Sequence, residues 1–368
     1  MATPGMTALR DLLARRIAIT GPMTLSEYMA DCLLHPDHGY YATRDPLGAG
    51  GDFTTAPEIS QMFGELLGLC LAQTWLDQGA PASFTLAEVG PGRGTLMADI
   101  WRTTRGVPRF HAAARIHLIE ISPVLRDAQA TALQGAPVTW VASVDALPEG
   151  APLFLIANEF FDALPIRQFQ RAPNGWREVV VGLKGQDLIA ALTDPAPLGE
   201  LDHRLADTQD GDVIETCAAA RPVMDAISTR IMAHGGAALV IDYGDWRSTG
   251  DTFQALENHA YADPFANPGH ADLTAHVDFE ALAQAAPALQ HSALTPQGDL
   301  LRALGIDARA ARLAQGLTDS ARELHLAAYH RLTDAAEMGT LFKALAFVAP
   351  GSSLPPGFAP YAAKVHEA

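Results

Sequence analysis

The sequence predicts an α/β fold, a mostly parallel sheet covered by helices on both faces. Three observations carry that expectation. Short apolar runs at 84–89, 116–119, 138–141 and 153–157 recur with helical stretches between them, the pattern of a parallel sheet with helical crossovers. A glycine-rich turn, Gly90-Pro91-Gly92-Arg93-Gly94, joins the first run to a helix opening at Thr95. A chain of 368 residues, 48% hydrophobic, can bury a core of the size such a fold needs.

The elements follow in order. Residues 9–19 read as an amphipathic helix. Arg10, Arg15 and Arg16 give it a faint likeness to a transit peptide, which Asp11 interrupts. No targeting segment is read and no apolar run reaches membrane-spanning length, so the expectation is a cytoplasmic, bacterial-type chain without membrane insertion. A glycine-rich turn at 47–51 precedes a helix over 57–75, with Thr55 as its cap and Glu58 completing a capping box. After the α/β alternation, 166–193 reads as an antiparallel hairpin turning at Pro173-Asn174-Gly175. A helix over about 215–234, a buried strand at 238–242, a long polar loop at 245–275, helices over about 278–337 and a closing strand at 342–348 complete the chain. The expected organisation is an N-terminal helical cap at 1–54, a core at 55–165 and 236–350, an antiparallel insertion at 166–215, and acceptor-side loop and helices at 245–340. The insertion is a candidate homodimer or partner-docking surface.

Charge and cysteine usage exclude some functions. The net charge is −17, with only 25 Lys and Arg, which repels nucleic acid phosphates and attracts a basic protein or peptide. Cys32, Cys70 and Cys217 lie far apart, so no disulfide framework or cysteine-based zinc site is suggested and no metal is expected.

The glycine turn is a nucleotide-binding element, its glycines allowing tight geometry and close ligand approach. Three acids point to S-adenosylmethionine. Glu88 lies two positions before Gly90, where a carboxylate balances an ammonium or sulfonium and would repel a pyrophosphate. Glu120 ends the next strand, where a carboxylate accepts from ribose hydroxyls. Asp145 follows the third strand, on the adenine side. Gly90, Gly92 and Gly94 form the cradle. The competing reading, a dinucleotide-binding dehydrogenase, expects its third fingerprint glycine where Thr95 stands. A plain structural turn is the bland alternative.

The segment Asn158-Glu159-Phe160-Phe161-Asp162 follows the fourth strand, on the edge that faces ligands in open α/β sheets. Asn158 is assigned to the cofactor side. Glu159, and secondarily Asp162, suit a protonated guanidinium, whose planar fork a carboxylate pair matches. The N/D-P-P-Y/F pattern of many amino-methyltransferases is met only at its ends, by Asn158 and Phe161. His276 is a candidate proton acceptor, although a lone histidine is more often structural.

The motifs Gly21-Pro22-Met23-Thr24, His35-Pro36 with His38-Gly39-Tyr40-Tyr41, the stretch 51–61, Phe63-Gly64-Glu65, 88–94, 158–165, Ile241-Asp242-Tyr243-Gly244 and 272–279 run in order through the chain. On these the sequence resembles the MidA-like methyltransferase family, which includes the mitochondrial arginine methyltransferase that assists complex I assembly. The resemblance implies a seven-stranded, Rossmann-like class I methyltransferase fold and S-adenosyl-L-methionine as cofactor. For the mitochondrial members it implies a protein arginine, on a complex I subunit, as acceptor. Two alternatives stay open: a methyltransferase for another amine, amide or small molecule, and a cofactor-binding assembly scaffold.

Overall fold

The computed structural model describes residues 8–43, 55–257 and 260–362. The turn at 47–51, the segment Gly50-Gly51-Asp52-Phe53 and the tips of the neighbouring motifs lie outside them. The chain divides into two compact units, one of 1–53, 162–221 and 247–278, the other of 54–161, 222–246 and 279–368.

The second unit holds the parallel sheet. Its main strands are β1 (Phe84–Val89), β2 (Ala114–Ile119), β3 (Val138–Val141), β4 (Leu153–Asn158), β5 (Gly236–Asp245) and β6 (Phe342–Val348). With the edge pair Gln290–His291 they make a seven-stranded path ordered 290–291, β6, β5, β4, β1, β2, β3. All neighbours from β5 to β3 are parallel. β6 is antiparallel to β5. The chain builds outward from β1 through β2 to β3, then returns to place β4 on the other side of β1. That reversal creates a switch point between β1 and β4, where ligands bind open α/β sheets. Every residue of β1 and β4 is buried, which is why both read as unbroken apolar runs rather than alternating ones.

Trp75, Phe84, Phe110 and Phe154 form the aromatic centre of this core, their rings 5.0–5.8 Å apart in tilted and edge-on pairs. Trp75 comes from the helix Gln61–Asp77, which buries most of its length. The single helix expected over 57–75 is instead two. A four-residue helix, Ala56–Ile59, ends at Ser60, whose extended backbone (φ −159°) restarts the chain as the N-cap of the longer helix. The Thr55 side chain makes no capping bond. Glu58 accepts from the Thr95 hydroxyl instead, so the expected capping box is replaced by a tertiary contact.

The first unit is built on a five-stranded sheet containing Met23–Thr24, Arg167–Ala172, Gly175–Lys184, Asp187–Leu192 and Val213–Thr216. Met23 pairs with Val181. Leu9, Leu13, Ile17, Tyr28 and Met29 bury against Val181 and Leu188. The N-terminal helices therefore share one core with the inserted hairpin and do not stand as a separate cap. Two further expectations change. The helix expected from 215 starts at Ala220, and Glu215 lies in a strand. The loop read over 245–275 contains a three-stranded sheet, Gln254–Glu257, Ala260–Ala262 and Asp272–Thr274. These strands are too short and polar to leave a period-two signal.

Phe84→Ala empties the centre of the aromatic cluster, and its expected cost is about 3–5 kcal/mol. Urea unfolding measures it, and a loss under about 1 kcal/mol would contradict this placement of the core.

Candidate cofactor and acceptor sites

The glycine turn begins where β1 ends. Gly90, Gly92 and Gly94 have φ of 64°, 53° and 85°, a region that side chains resist. Gly94 caps the helix Thr95–Thr103. A Cβ at Gly90 would stand 2.9 Å from Phe160 Cδ2, and one at Gly94 would stand 3.2 Å from Gln129 Cα. The turn is thus backed by Phe160 on one side and by Gln129 on the other. The Gly90 amide donates to the Ile119 carbonyl at 3.2 Å, tying the turn to β2.

Two of the predicted polar groups lie at the ends of the strands beside the turn. Glu88 is 3% exposed, and its buried Oε2 has no hydrogen-bond partner among the described residues. Burial pushes its carboxyl up to about 8, opposed only by a hydrogen bond from the Met97 amide. At the end of the adjacent strand, Asn158 leaves its Oδ1 in the same condition. These two buried oxygens at neighbouring strand ends suit a ligand that brings donors and positive charge, since a nearby cation favours the ionised form of Glu88 and a phosphate does not. They fit the amino-acid end of S-adenosylmethionine.

Glu120 is held by its surroundings. Its Oε1 accepts from the Ser122 amide at 2.7 Å and its Oε2 from Gln129 Nε2 at 3.3 Å. Burial raises its pKa, while these bonds pull it down. Asp145 lies exposed in a single 3-10 turn, Val144–Ala146. Its carbonyl, with that of Leu147, accepts from the buried Arg230.

Glu159 has a left-handed backbone, φ 50°, uncommon for a residue with a side chain and concentrated at functional sites. Its amide donates to the Ile241 carbonyl at 2.9 Å. Its Oε1 accepts from the Ala56 amide and from Asn158 Nδ2, both at 3.1 Å. The next two amides, of Phe160 and Phe161, donate to Asp242 Oδ2 at 3.2 and 3.0 Å. Asp242 also takes the Tyr243 amide on Oδ1 and is fully buried. It is the bracket that holds the turn after β4.

Asp162 and His276 belong to the other unit. There the main chain joins their segments: the Ala275 amide donates to the Asp162 carbonyl at 3.0 Å. The His276 amide donates to Thr252 Oγ1 at 2.8 Å. Thr252 in turn donates its hydroxyl and its amide to Glu215, a buried carboxylate also bound by Gln168 Nε2 at 2.7 Å. Tyr41 donates to both oxygens of Asp272.

Sequence reasoning missed Gln129, Asp242 as a support, and Glu215. Gln129 carried a readable signal, a polar residue one helical turn after Leu125 on the buried face of a helix. Glu215 carried none, because its strand was read as helix.

A sheet reversing between β1 and β4, with a glycine cradle and buried carboxylates at the carboxyl ends, defines a class I S-adenosylmethionine-dependent methyltransferase. The family described as S-adenosyl-L-methionine-dependent methyltransferase matches residues 66–297. A relative named protein arginine methyltransferase NDUFAF7, mitochondrial, from Danio rerio is 38% identical, over 90% of this chain and 84% of its own. The Homo sapiens protein of that name is 37% identical, over 94% and 84%. A Burkholderia thailandensis crystal structure bound to S-adenosylhomocysteine superposes with a TM-score of 0.81 at 28% identity, covering 95% of this chain and 94% of that one. The chain belongs to the MidA-like family of S-adenosylmethionine-dependent methyltransferases. The relatives are named as mitochondrial proteins, which overturns the expectation of a cytoplasmic chain; the weak N-terminal composition was no guide to compartment.

Gly92→Val puts a branched side chain on a residue with φ 53°, and the expected result by calorimetry is loss of S-adenosylhomocysteine binding. Unchanged affinity would remove the turn from the site. A second outcome concerns pH. Glu88 keeps its proton up to about 8 when folded, against an ordinary 4.5. Between those values the folded state binds more protons than the unfolded state, so stability falls as pH rises through the window. Glu88→Gln removes that contribution. Its melting temperature is expected to fall less than that of the wild type between about pH 6 and about pH 9. Identical slopes would contradict the buried placement.

Proposed function

We propose that the chain methylates an arginine side chain of a protein. By family resemblance, a respiratory complex I subunit or its equivalent is the candidate target. The observation that carries this reading is the name shared by relatives aligned over nine-tenths of the chain, protein arginine methyltransferase. The turn after β4 supports it, because Glu159 offers a carboxylate fixed by two donors at a strained backbone position.

When bound, S-adenosylmethionine supplies an electrophilic methyl group on a positively charged sulfonium. The chain's own residues do the rest. Glu88 and Asn158 take the amino-acid end, Gly90, Gly92 and Gly94 let the backbone approach, Glu120 takes the ribose hydroxyls, and Asp145 lies on the adenine side. An arginine at neutral pH is protonated and its nitrogen lone pairs are delocalised. Glu159 pairs with the guanidinium and draws its charge away from the nitrogen that attacks. Asp162 is proposed as a second carboxylate for the acceptor. His276, held through its amide by Thr252, is the candidate for the proton released on transfer.

Glu159→Gln is expected to bind S-adenosylhomocysteine as the wild type does while methyl transfer falls by about a hundredfold or more. Transfer of labelled methyl to proteins of the host's respiratory membranes, followed by amino-acid analysis, checks both points. Label appearing in methylarginine and lost in the variant is the expected result. Label in another residue type, or a fully active variant, would contradict the proposal.

A further inference from the structure

Gln129 is fully buried on the helix Pro123–Ala132, and its amide is used on both ends. Oε1 accepts from the indole N–H of Trp140 at 2.7 Å. Nε2 donates to the Gly92 carbonyl at 2.7 Å and to Glu120 Oε2 at 3.3 Å. An indole nitrogen can only donate, and a carbonyl or carboxylate can only accept, so these neighbours fix which way the amide points. One side chain therefore joins the glycine turn, the carboxylate ending β2 and the tryptophan of β3.

The consequence falls on Glu120. Ser122 and Gln129 each hold one of its oxygens. The Ile121 amide bonds the same carboxylate; with about four lone-pair sites in all, one remains after these three partners are served. We propose that Gln129 is a specificity-determining positioning residue. By locking Glu120 and Gly92 to each other, it sets the cradle's preference for a ribose over a 2′-deoxyribose nucleoside. This rests on the reading of Glu120 as the ribose acceptor. A role confined to core packing would weaken all ligands alike; a positioning role weakens the ribose ligand more.

Calorimetric titration with S-adenosylhomocysteine and with its 2′-deoxy analogue separates these cases. The wild type is expected to prefer the ribose form, and Glu120→Gln to lose that preference. Gln129→Met keeps the length of the side chain and removes its hydrogen bonds. It is expected to weaken S-adenosylhomocysteine about tenfold, to weaken the deoxy analogue less, and so to lose most of the preference. Trp140→Phe removes only the indole donor and should lower the preference by a smaller factor, which serves if the Gln129 variant does not fold. A folded Gln129→Met that keeps the wild-type preference, with Glu120→Gln losing it, overturns the role of Gln129 and leaves Glu120 assigned. A preference that survives Glu120→Gln overturns the ribose assignment and the inference with it.

Discussion

A carboxylate buried at the carboxyl end of a central strand is costly unless something compensates it, and Glu88 is placed there with one oxygen unpartnered. Its neighbours in the sheet are apolar and closed to water. The next residue but one begins a turn of glycines in left-handed geometry. The local cost makes sense for a protein whose cation arrives as a ligand. Asn158, ending the adjacent strand, repeats the pattern with its own unpartnered acceptor.

Other acids along the same edge are treated differently. Asp242 spends its oxygens on the amides of Phe160, Phe161 and Tyr243. Glu120 is held by two amides and a glutamine. Both serve as rigid fixtures, since a buried carboxylate satisfied by main-chain donors holds its geometry. The first unit applies the same device at Glu215, which fixes Thr252 and through it the amide of His276. The segments that carry Glu159 and His276 are thus pinned by the buried carboxylates Asp242 and Glu215.

Much of the core was legible in the sequence because parallel strands buried on both faces write unbroken apolar runs. The strand expected at 84–89 and the closing strand at 342–348 match β1 and β6 to the residue. The glycine turn was legible because positive φ at three positions demands glycine. What stayed hidden depended on contacts distant in sequence. The break at Ser60 needs an extended backbone that Ser60 tolerates but does not advertise. The pairing of Met23 with Val181 joins segments more than 150 residues apart. Asp242 was visible as an acid at a strand end, yet only the turn at 160–161 reveals that it supports the backbone.

The most direct test of the account is a pair of calorimetric titrations of the purified protein, one with S-adenosylhomocysteine and one with a dinucleotide such as NAD. The buried oxygens of Glu88 and Asn158 predict micromolar binding of the first and none of the second, because a cationic amino-acid end favours the ionised form of Glu88, which a pyrophosphate would disfavour. Binding of the dinucleotide, or no binding of S-adenosylhomocysteine by folded protein, would contradict the assignment of this edge as a methyl-donor site.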